Sequence, residues 1–221
     1  MTNAPTAQDV AVERSTELAA DRIVHLVGIG LGVPAAIAIV ALAAASGAPA
    51  EVLPVGLYAA GLMAMLCCSA AYNLAPRTNP HRDWLQRLDH AAIFAMIAGS
   101  YTPFTVRLVH GWAEGLTAGI WAVAALGIAA KLWRPEGVAR ISTVLYLVLG
   151  WIGMCAIEPF TQALATPTLL LLVSGGVLYS SGVIFHLWRR LRYQNAIWHG
   201  FVLMAACVHY AAVLTAVRAS P

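Results

Sequence analysis

Seven long apolar runs alternate with short polar joints along the chain. Each run approaches the roughly 20 residues that an α-helix needs to cross about 30 Å of hydrocarbon. The runs are residues 22–46, 52–75, 88–108, 114–133, 140–158, 167–187 and 196–217. We therefore predict an all-α, seven-transmembrane helix bundle that forms a single domain over residues 22–217, with short polar tails at residues 1–21 and 218–221.

Basic residues divide unevenly between the two sides of such a bundle. Eleven of the thirteen Lys and Arg residues fall on the side of the N-terminus, and only Arg107 and Arg218 fall on the other. Positive charge accumulates on the cytoplasmic side of membrane proteins. The eleven are Arg14, Arg22, Arg77, Arg82, Arg87, Lys131, Arg134, Arg140, Arg189, Arg190 and Arg192. The sequence therefore predicts a cytoplasmic N-terminus and, with seven spans, a C-terminus outside.

The composition agrees with a chain that lies in a lipid bilayer. Of the 221 residues, 60% are hydrophobic and only 10% are charged, whereas soluble domains carry roughly 25% charged residues. The formal net charge of +3 is small and gives no indication of a nucleic-acid partner. We predict an integral membrane protein whose partners are membrane lipids.

Polar residues that a membrane helix rarely carries occur at one depth, near the cytoplasmic ends of four spans. Residues four apart share a helix face, and an ionisable group in an apolar run usually faces protein, water, a metal or a ligand. The residues are Glu17, Asp21 and His25 at the first span, Ser69 and Asn73 at the second, Asp89 and His90 at the third, and Asn195 and His199 at the seventh. His209 follows on the seventh span, about 15 Å deeper at a rise of about 1.5 Å per residue. We predict that these residues line a shared polar cavity.

Several of these residues also have a purely structural interpretation. Asn73 suits the C-terminus of the second span, because Asn tolerates the left-handed conformation found there. Asn195 and Asp89 are suitable N-caps for the seventh and third spans. Glu17 and Asp21 are compatible with a solvated first turn that precedes the bilayer. These alternatives stay open at the level of the sequence.

The remaining histidines are weaker candidates for a site. His81 and His110 fall in predicted loops between spans. His186 lies next to Trp188 and Arg189 at the predicted inner interface. There we expect it to reach toward the headgroup region and not to act as a ligand.

Four separated segments resemble the hemolysin III branch of the progestin and adiponectin receptor superfamily. They are SAAYN at 69–73, LDHAAIFAMIAGSYTPF at 88–104, GGVLYSSGVIF at 175–185 and NAIWHGFVL at 195–203. Glu17, Asp21 and His25 resemble the N-terminal motif of that branch, with Asp21 where Asn is usual. The resemblance implies a seven-helix fold with the N-terminus inside, and a location in the bacterial inner membrane. Superfamily members are also similar to membrane ceramidases, in which three histidines hold zinc at the cytoplasmic end of the bundle.

The chain departs from that family pattern at two of the three implied zinc ligands. Where the resemblance implies SxxxH and HxxxH, this chain has Asn73 and Asn195, so that only His199 remains. A neutral carboxamide oxygen is a poor ligand for zinc. We therefore expect a degenerate site in which zinc is not tightly bound. Asp89 and Ser69 keep the positions of implied catalytic residues, and would act only if a metal were present.

Three functions from different classes follow from this pattern. The first is a protein that senses or tunes the state of the membrane, holding an acyl chain with its polar end near Asp89, Asn195 and His199. The second is a zinc-dependent lipid amide hydrolase of the ceramidase type, with His25, His90 or Asp89 replacing the missing ligands. The third is a haemolytic pore, which the sequence supports least because no span carries a charged stripe along its full length. The sequence leaves open whether the protein is an enzyme.

Overall fold

The chain folds into an all-helical bundle in the part that the structure describes. A computed structural model gives the positions of residues 7–134, 136–137 and 141–219, with side chains from residue 13 onward. Arg140 and the outer parts of both predicted tails lie outside these ranges. The α-helices are α1 (Ala7–Ala45), α2 (Pro49–Leu74), α3 (Arg82–Thr105), α4 (Trp112–Trp133), α5 (Ser142–Trp151), α6 (Ile157–Ala163), α7 (Thr166–Leu187) and α8 (Gln194–Arg218). A 3₁₀ segment, Ile152–Ala156, joins α5 to α6.

Six helical segments in the described ranges are long and apolar enough to cross a membrane. They are Glu13–Ala45 of α1, α2, α4, the combined segment Ser142–Ala163, α7 and α8. The remaining predicted span, the third, corresponds to α3, whose first half carries Arg82, Asp83, Arg87 and Asp89 and is therefore less apolar. From Ala91 onward α3 is largely buried inside the bundle. The all-helical prediction is confirmed, and the count of seven spans stays a prediction.

The first helix begins well before the predicted first span. α1 starts at Ala7, so the polar residues assigned to a tail up to residue 21 continue the same helix where the structure describes them. Glu17, Asp21 and His25 therefore lie along one continuous helical face. This geometry turns their side chains toward the beginning of α8.

The fifth predicted span is broken and does not form one continuous helix. The interruption at Ile152–Ala156 precedes Pro159, which lacks an N–H group for helical hydrogen bonding. The hydroxyl of Tyr101 on α3 donates to the backbone oxygen of Gly150 over 2.5 Å and accepts from the backbone N–H of Gly153 over 3.1 Å. One side chain thus satisfies backbone groups that the break leaves without helical partners.

The helices surround the cavity described below. α1 to α4 pack side by side in chain order, α7 packs on α8, and α1 packs against α8, whereas α5 contacts its neighbours α4 and α7 only sparsely. α2 and α3 approach closely because each has a glycine at the contact. A Cβ atom on Gly61 would lie 2.9 Å from the backbone oxygen of Ala95, and one on Gly99 would lie 2.8 Å from that of Leu57. Such small residues allow close helix packing where the hydrophobic effect between helices is weak.

The outer surface of the bundle is apolar, as expected for a protein surrounded by lipid. Large hydrophobic side chains are exposed on most helices, including Leu31, Ile37, Leu126, Leu170 and Ile184. Exposed apolar surface of this extent marks contact with a membrane or a partner. Together with the six apolar segments, it identifies an integral membrane protein.

Candidate functional site

α1 meets the beginning of α8 through one carboxylate and one imidazole on α1 and a second imidazole on α8. Oδ1 of Asp21 lies 2.6 Å from Nδ1 of His199. The rings of His25 and His199 pack edge to face, with centroids 4.4 Å apart. Asp21 and His25 are only 6% and 7% exposed. We refer to Asp21, His25 and His199 as the acid–histidine cluster.

The hydrogen-bond partners determine which nitrogen of each imidazole carries a proton. Nδ1 of His25 lies 2.8 Å from the backbone oxygen of Asp21, and a carbonyl oxygen can only accept. Nδ1 of His25 therefore donates, and Nε2 is left to accept from the hydroxyl of Ser69 over 3.2 Å when the ring is neutral. By the same reasoning, Nδ1 of His199 donates to the carboxylate of Asp21. In the neutral form, Nε2 is thus the acceptor or ligand atom of both rings, and in His25 it already contacts Ser69.

The second and third helices join the cluster through Ser69. Its hydroxyl has a single proton, which it can donate either to Nε2 of neutral His25 or to the carboxylate of Asp89 on α3. The amide Nδ2 of Asn73 lies 2.9 Å from the backbone oxygen of Ser69 and 3.3 Å from its hydroxyl. Four helix ends therefore contribute side chains to one connected network of polar contacts.

Other predicted cavity residues lie outside this network. Glu17 accepts from the backbone N–H of Tyr193, over 3.2 Å, and so holds the start of α8. Asn195 is exposed and lines the mouth of the cavity. His90 lines the cavity and lies within electrostatic reach of Lys131 on α4. His209 lies deeper, where Nε2 donates to the backbone oxygen of Leu172 over 3.2 Å and links α8 to α7.

The structural alternatives for four of these residues are wrong in detail. α2 ends at Leu74 with an extended residue after it, so Asn73 is not a left-handed cap. α3 begins at Arg82, which places Asp89 two turns inside the helix and not at its N-cap. α8 begins at Gln194, so Asn195 lies inside its first turn. Asp21 is buried and not solvated.

A cavity of about 600 Å³ runs along the bundle axis beside the cluster. Its inner end is polar and includes Asp89, Asn195 and His199. Its deeper walls are mostly apolar, with residues such as Phe104, Phe160, Leu169, Leu172 and Met154. Ligand sites in proteins commonly measure roughly 300–1,000 Å³ and combine apolar walls with a few polar groups. The cavity matches this description in both size and lining.

Two cavity residues were not identified from the sequence. Lys131 is 2% exposed and its Nζ donates to the hydroxyl of Ser142 over 3.0 Å. His186 lines the cavity, and its Nδ1 is buried with no hydrogen-bond partner in the described structure, although the sequence suggested a position at the interface. A lone basic residue near the end of a span usually reaches for the headgroups. The pattern of residues therefore gave no signal for an inward orientation.

The zinc site that the resemblance implies does not fit the residues at the implied positions. Asn73 uses its amide within its own helix, and Asn195 offers at most a neutral carbonyl oxygen. The acid–histidine cluster offers a different set of donors, because ligand atoms of all three residues lie within 4.8 Å of one another. Two imidazoles and a carboxylate form a donor set that zinc accepts in catalytic sites. Among the described residues, one group of His, Cys, Asp and Glu side chains could hold a metal, and it overlaps the implied site only at His199.

Comparison with known proteins agrees with the motifs and with the fold. Residues 18–210 match the family model described as "Haemolysin-III related". The chain is 31% identical over 196 residues to "Hemolysin-3 homolog" of Bacillus subtilis (strain 168), covering 88% of this chain and 92% of that protein. It is 34% identical over 202 residues to "Hemolysin-3" of Bacillus cereus, covering 88% and 89%. It is also 28% identical over 177 residues to "Monocyte to macrophage differentiation factor" of Homo sapiens, covering 77% and 73%. The chain therefore belongs to the haemolysin-III related family, within the progestin and adiponectin receptor type of membrane proteins.

Proposed function

We propose that this protein holds a single-chain lipid in its central cavity and thereby senses or tunes the state of the membrane. The acyl chain lies between the helices, and the polar end of the lipid lies near Asp89, Asn195 and His199. The observation that carries the proposal is the cavity itself, about 600 Å³ in volume, polar at one end and apolar along its depth. A lipid has the same division between a polar head and an apolar chain.

The polar network at the inner end supports a binding role without a metal. The side chains of Asp21, His25, Ser69 and His199 hold one another in fixed orientations through the contacts described above. A prearranged polar site binds a ligand with a smaller loss of conformational freedom than a mobile one does. Nε2 of His199 and the carboxylate of Asp89 are then available to accept a hydrogen bond from an amide N–H or a hydroxyl group of the lipid.

The proposal includes seven spans, an N-terminus in the cytoplasm and a location in the bacterial inner membrane. The packing of α3 against α2 and α4 inside the bundle supports its assignment as the third of the seven spans, despite its charged first half. The excess of basic residues on the side of the N-terminus supports the orientation. The likeness to proteins from two Bacillus species supports a bacterial membrane. The acid–histidine cluster would then lie near the cytoplasmic surface.

A paired substitution on α7 tests whether the cavity holds a chain. Val183 lines the cavity, whereas Val177 on the same helix is 50% exposed on the outer face. Val183→Trp places a large ring in the cavity, and we expect it to reduce binding of a fluorescent C16 fatty-acid analogue by at least tenfold in reconstituted nanodiscs. Val177→Trp should leave binding unchanged. Equal binding by both variants would mean that the chain does not occupy the cavity.

A second candidate function is a zinc-dependent lipid amide hydrolase. It is favoured by one specific observation, the acid–histidine cluster with its ligand atoms within 4.8 Å of one another. Asp21, His25 and His199 would hold the metal, which would activate water and polarise a carbonyl. Ser69 and Asp89 border the cluster, where Ser69 could donate to a developing oxyanion and Asp89 could take a proton.

Metal analysis separates the two candidate functions. The protein is purified without added zinc, then loaded with zinc and washed, and its zinc content is measured by mass spectrometry. The hydrolase requires about one zinc ion per chain, and this ion should be lost in His25→Gln but kept in His110→Gln, a histidine in an exposed loop. A wild-type protein that retains no zinc would exclude the hydrolase and leave the lipid-binding proposal in place.

A further inference from the structure

Lys131 is a buried cation that lacks a carboxylate partner in the described structure. It lies in the last turn of α4, is 2% exposed and lines the cavity. Its Nζ contacts the hydroxyl of Ser142, but none of the described carboxylates forms an ion pair with it. An ammonium group has three N–H donors, and its burial without a counter-charge is costly. The location therefore indicates that a ligand supplies the missing negative charge.

Two histidines from other helices line the cavity together with this lysine. His90 on α3 lies within electrostatic reach of Lys131 and of His186 on α7. All three side chains line the same cavity. Nδ1 of His186 is buried and has no hydrogen-bond partner in the part of the chain that the structure describes. His199 of the acid–histidine cluster and Arg189 also lie within electrostatic reach of His186.

We infer that Lys131, His90 and His186 form a binding site for the anionic head of the lipid held in the cavity. This inference rests on the proposed lipid-binding function and names the class of lipid. A phosphate or a carboxylate presents oxygens that accept charge-assisted hydrogen bonds from the ammonium and imidazole groups. A metal ion is a poor occupant of this wall because Lys131 and Arg189 would repel it. This assignment refines the placement of the polar end, because the charged oxygens of an anionic head bind Lys131, His90 and His186 and not the carboxylate of Asp89, which would repel them.

The anionic lipid is expected to extend from this site into the apolar part of the cavity. Leu147 on α5 and Val183 on α7 line the passage together with Met96 on α3. A neutral lipid of the same length would fill the same apolar space but would leave Lys131 without a counter-charge. We therefore expect the site to bind a lipid with an anionic head more tightly than a neutral lipid with the same chain length.

Three ligands with the same C16 chain test this inference on the wild-type protein in nanodiscs. Hexadecyl phosphate and palmitate carry an anionic head, whereas hexadecanol does not. We expect at least one anion to bind about tenfold to a hundredfold more tightly than the alcohol, as expected for a hydrogen bond to a charged group. The tighter of the two anions then identifies phosphate or carboxylate as the preferred head. Equal binding of all three ligands would overturn the anion site while the lipid-binding proposal survives, and no binding of any would overturn both.

Substitutions of Lys131 and Arg134 test whether Lys131 causes the preference for the anion over the alcohol. Lys131→Met removes the buried charge, and we expect it to bring the anion and the alcohol within about twofold of each other. Arg134→Gln removes an exposed charge from the same end of α4 without touching the cavity, and should keep the full preference. If Lys131→Met does not fold, the comparison of ligands on the wild-type protein still decides the inference. A preference that persists in folded Lys131→Met would overturn the assignment.

Discussion

Asp21 links α1 to α8 through one carboxylate oxygen, and its removal should produce a measurable loss of stability. The bond to Nδ1 of His199 is 2.6 Å long, and Asp21 is 6% exposed. Hydrogen bonds between helices of a membrane protein contribute about 0.6 kcal/mol on average and about 1.7 kcal/mol at most. This bond is short, ends on a carboxylate and is shielded from water, so its contribution should lie at the upper end. We expect Asp21→Ala to lower the free energy of unfolding by about 2 kcal/mol.

Two further variants separate the charge of Asp21 from its geometry. Asp21→Asn keeps an oxygen acceptor and loses only the charge, so we expect a loss of about 1 kcal/mol or less. Glu13→Gln also removes a carboxylate from α1. That carboxylate lies 3.7 Å from the guanidinium of Arg192, and both side chains are 56% exposed. Exposed ion pairs contribute little, and this control should change stability by less than about 0.5 kcal/mol.

The assay is reversible unfolding by SDS in mixed micelles, followed by far-UV circular dichroism. Asp21→Ala, His199→Ala and the double variant form a thermodynamic cycle that isolates the energy of the pair. We expect a coupling energy of about 1–2 kcal/mol. Additive effects within about 0.5 kcal/mol would refute the contact as the link between α1 and α8.

Three other changes test separate parts of the structure. The double substitution Asn73→His and Asn195→His adds two imidazoles near His199, and we expect it to raise bound zinc from the wild-type level to about one ion per chain. If metal analysis shows no gain in zinc, the ends of α2 and α8 do not converge. Gly99→Leu should cost about 1–3 kcal/mol by overpacking α2 against α3, whereas Gly119→Leu, with open space around it, should cost little in the same SDS titration. Tyr101→Phe removes the hydroxyl that satisfies the break after α5, and should lower the free energy of unfolding by about 1–3 kcal/mol; an unchanged SDS midpoint would contradict this account of the break.

The helices were predictable because each is specified locally by a run of apolar residues. The predicted limits of α4 and α7 differ from the structure by only a few residues, since polar or turn-forming residues border both helices. The common depth of His25, Ser69 and His199 followed from counting residues along three spans. Their hydrogen bonds did not, because contacts between helices depend on the rotation of each helix about its axis.

The break after α5 and the inward orientation of Lys131 could not be predicted either, because both depend on contacts between helices. Pro159 was visible in the sequence, but a proline inside a membrane helix is often tolerated when neighbours satisfy the freed backbone groups. Here Tyr101 does so from α3, a contact between residues far apart in the chain. Lys131 faces inward because of how α4 packs on α3, and an almost uniformly apolar helix gives little indication of its buried face.

Asn73, Asn195 and Asp21 bear on what holds the imidazole rings of the polar site in place. A metal ion fixes its imidazole ligands by coordination, and a carboxylate beside a ligand histidine usually fixes the ring further. Asn73 and Asn195 are poor ligands for zinc, so they offer little support by coordination. The carboxylate of Asp21 instead fixes the ring of His199 by a hydrogen bond to its Nδ1. Because His25 is held by the backbone of α1 and by Ser69, neither imidazole needs a metal to keep its orientation. Hydrogen bonds within the chain therefore fix both imidazole rings, so that the polar end of the cavity is ordered whether or not a metal ion binds there.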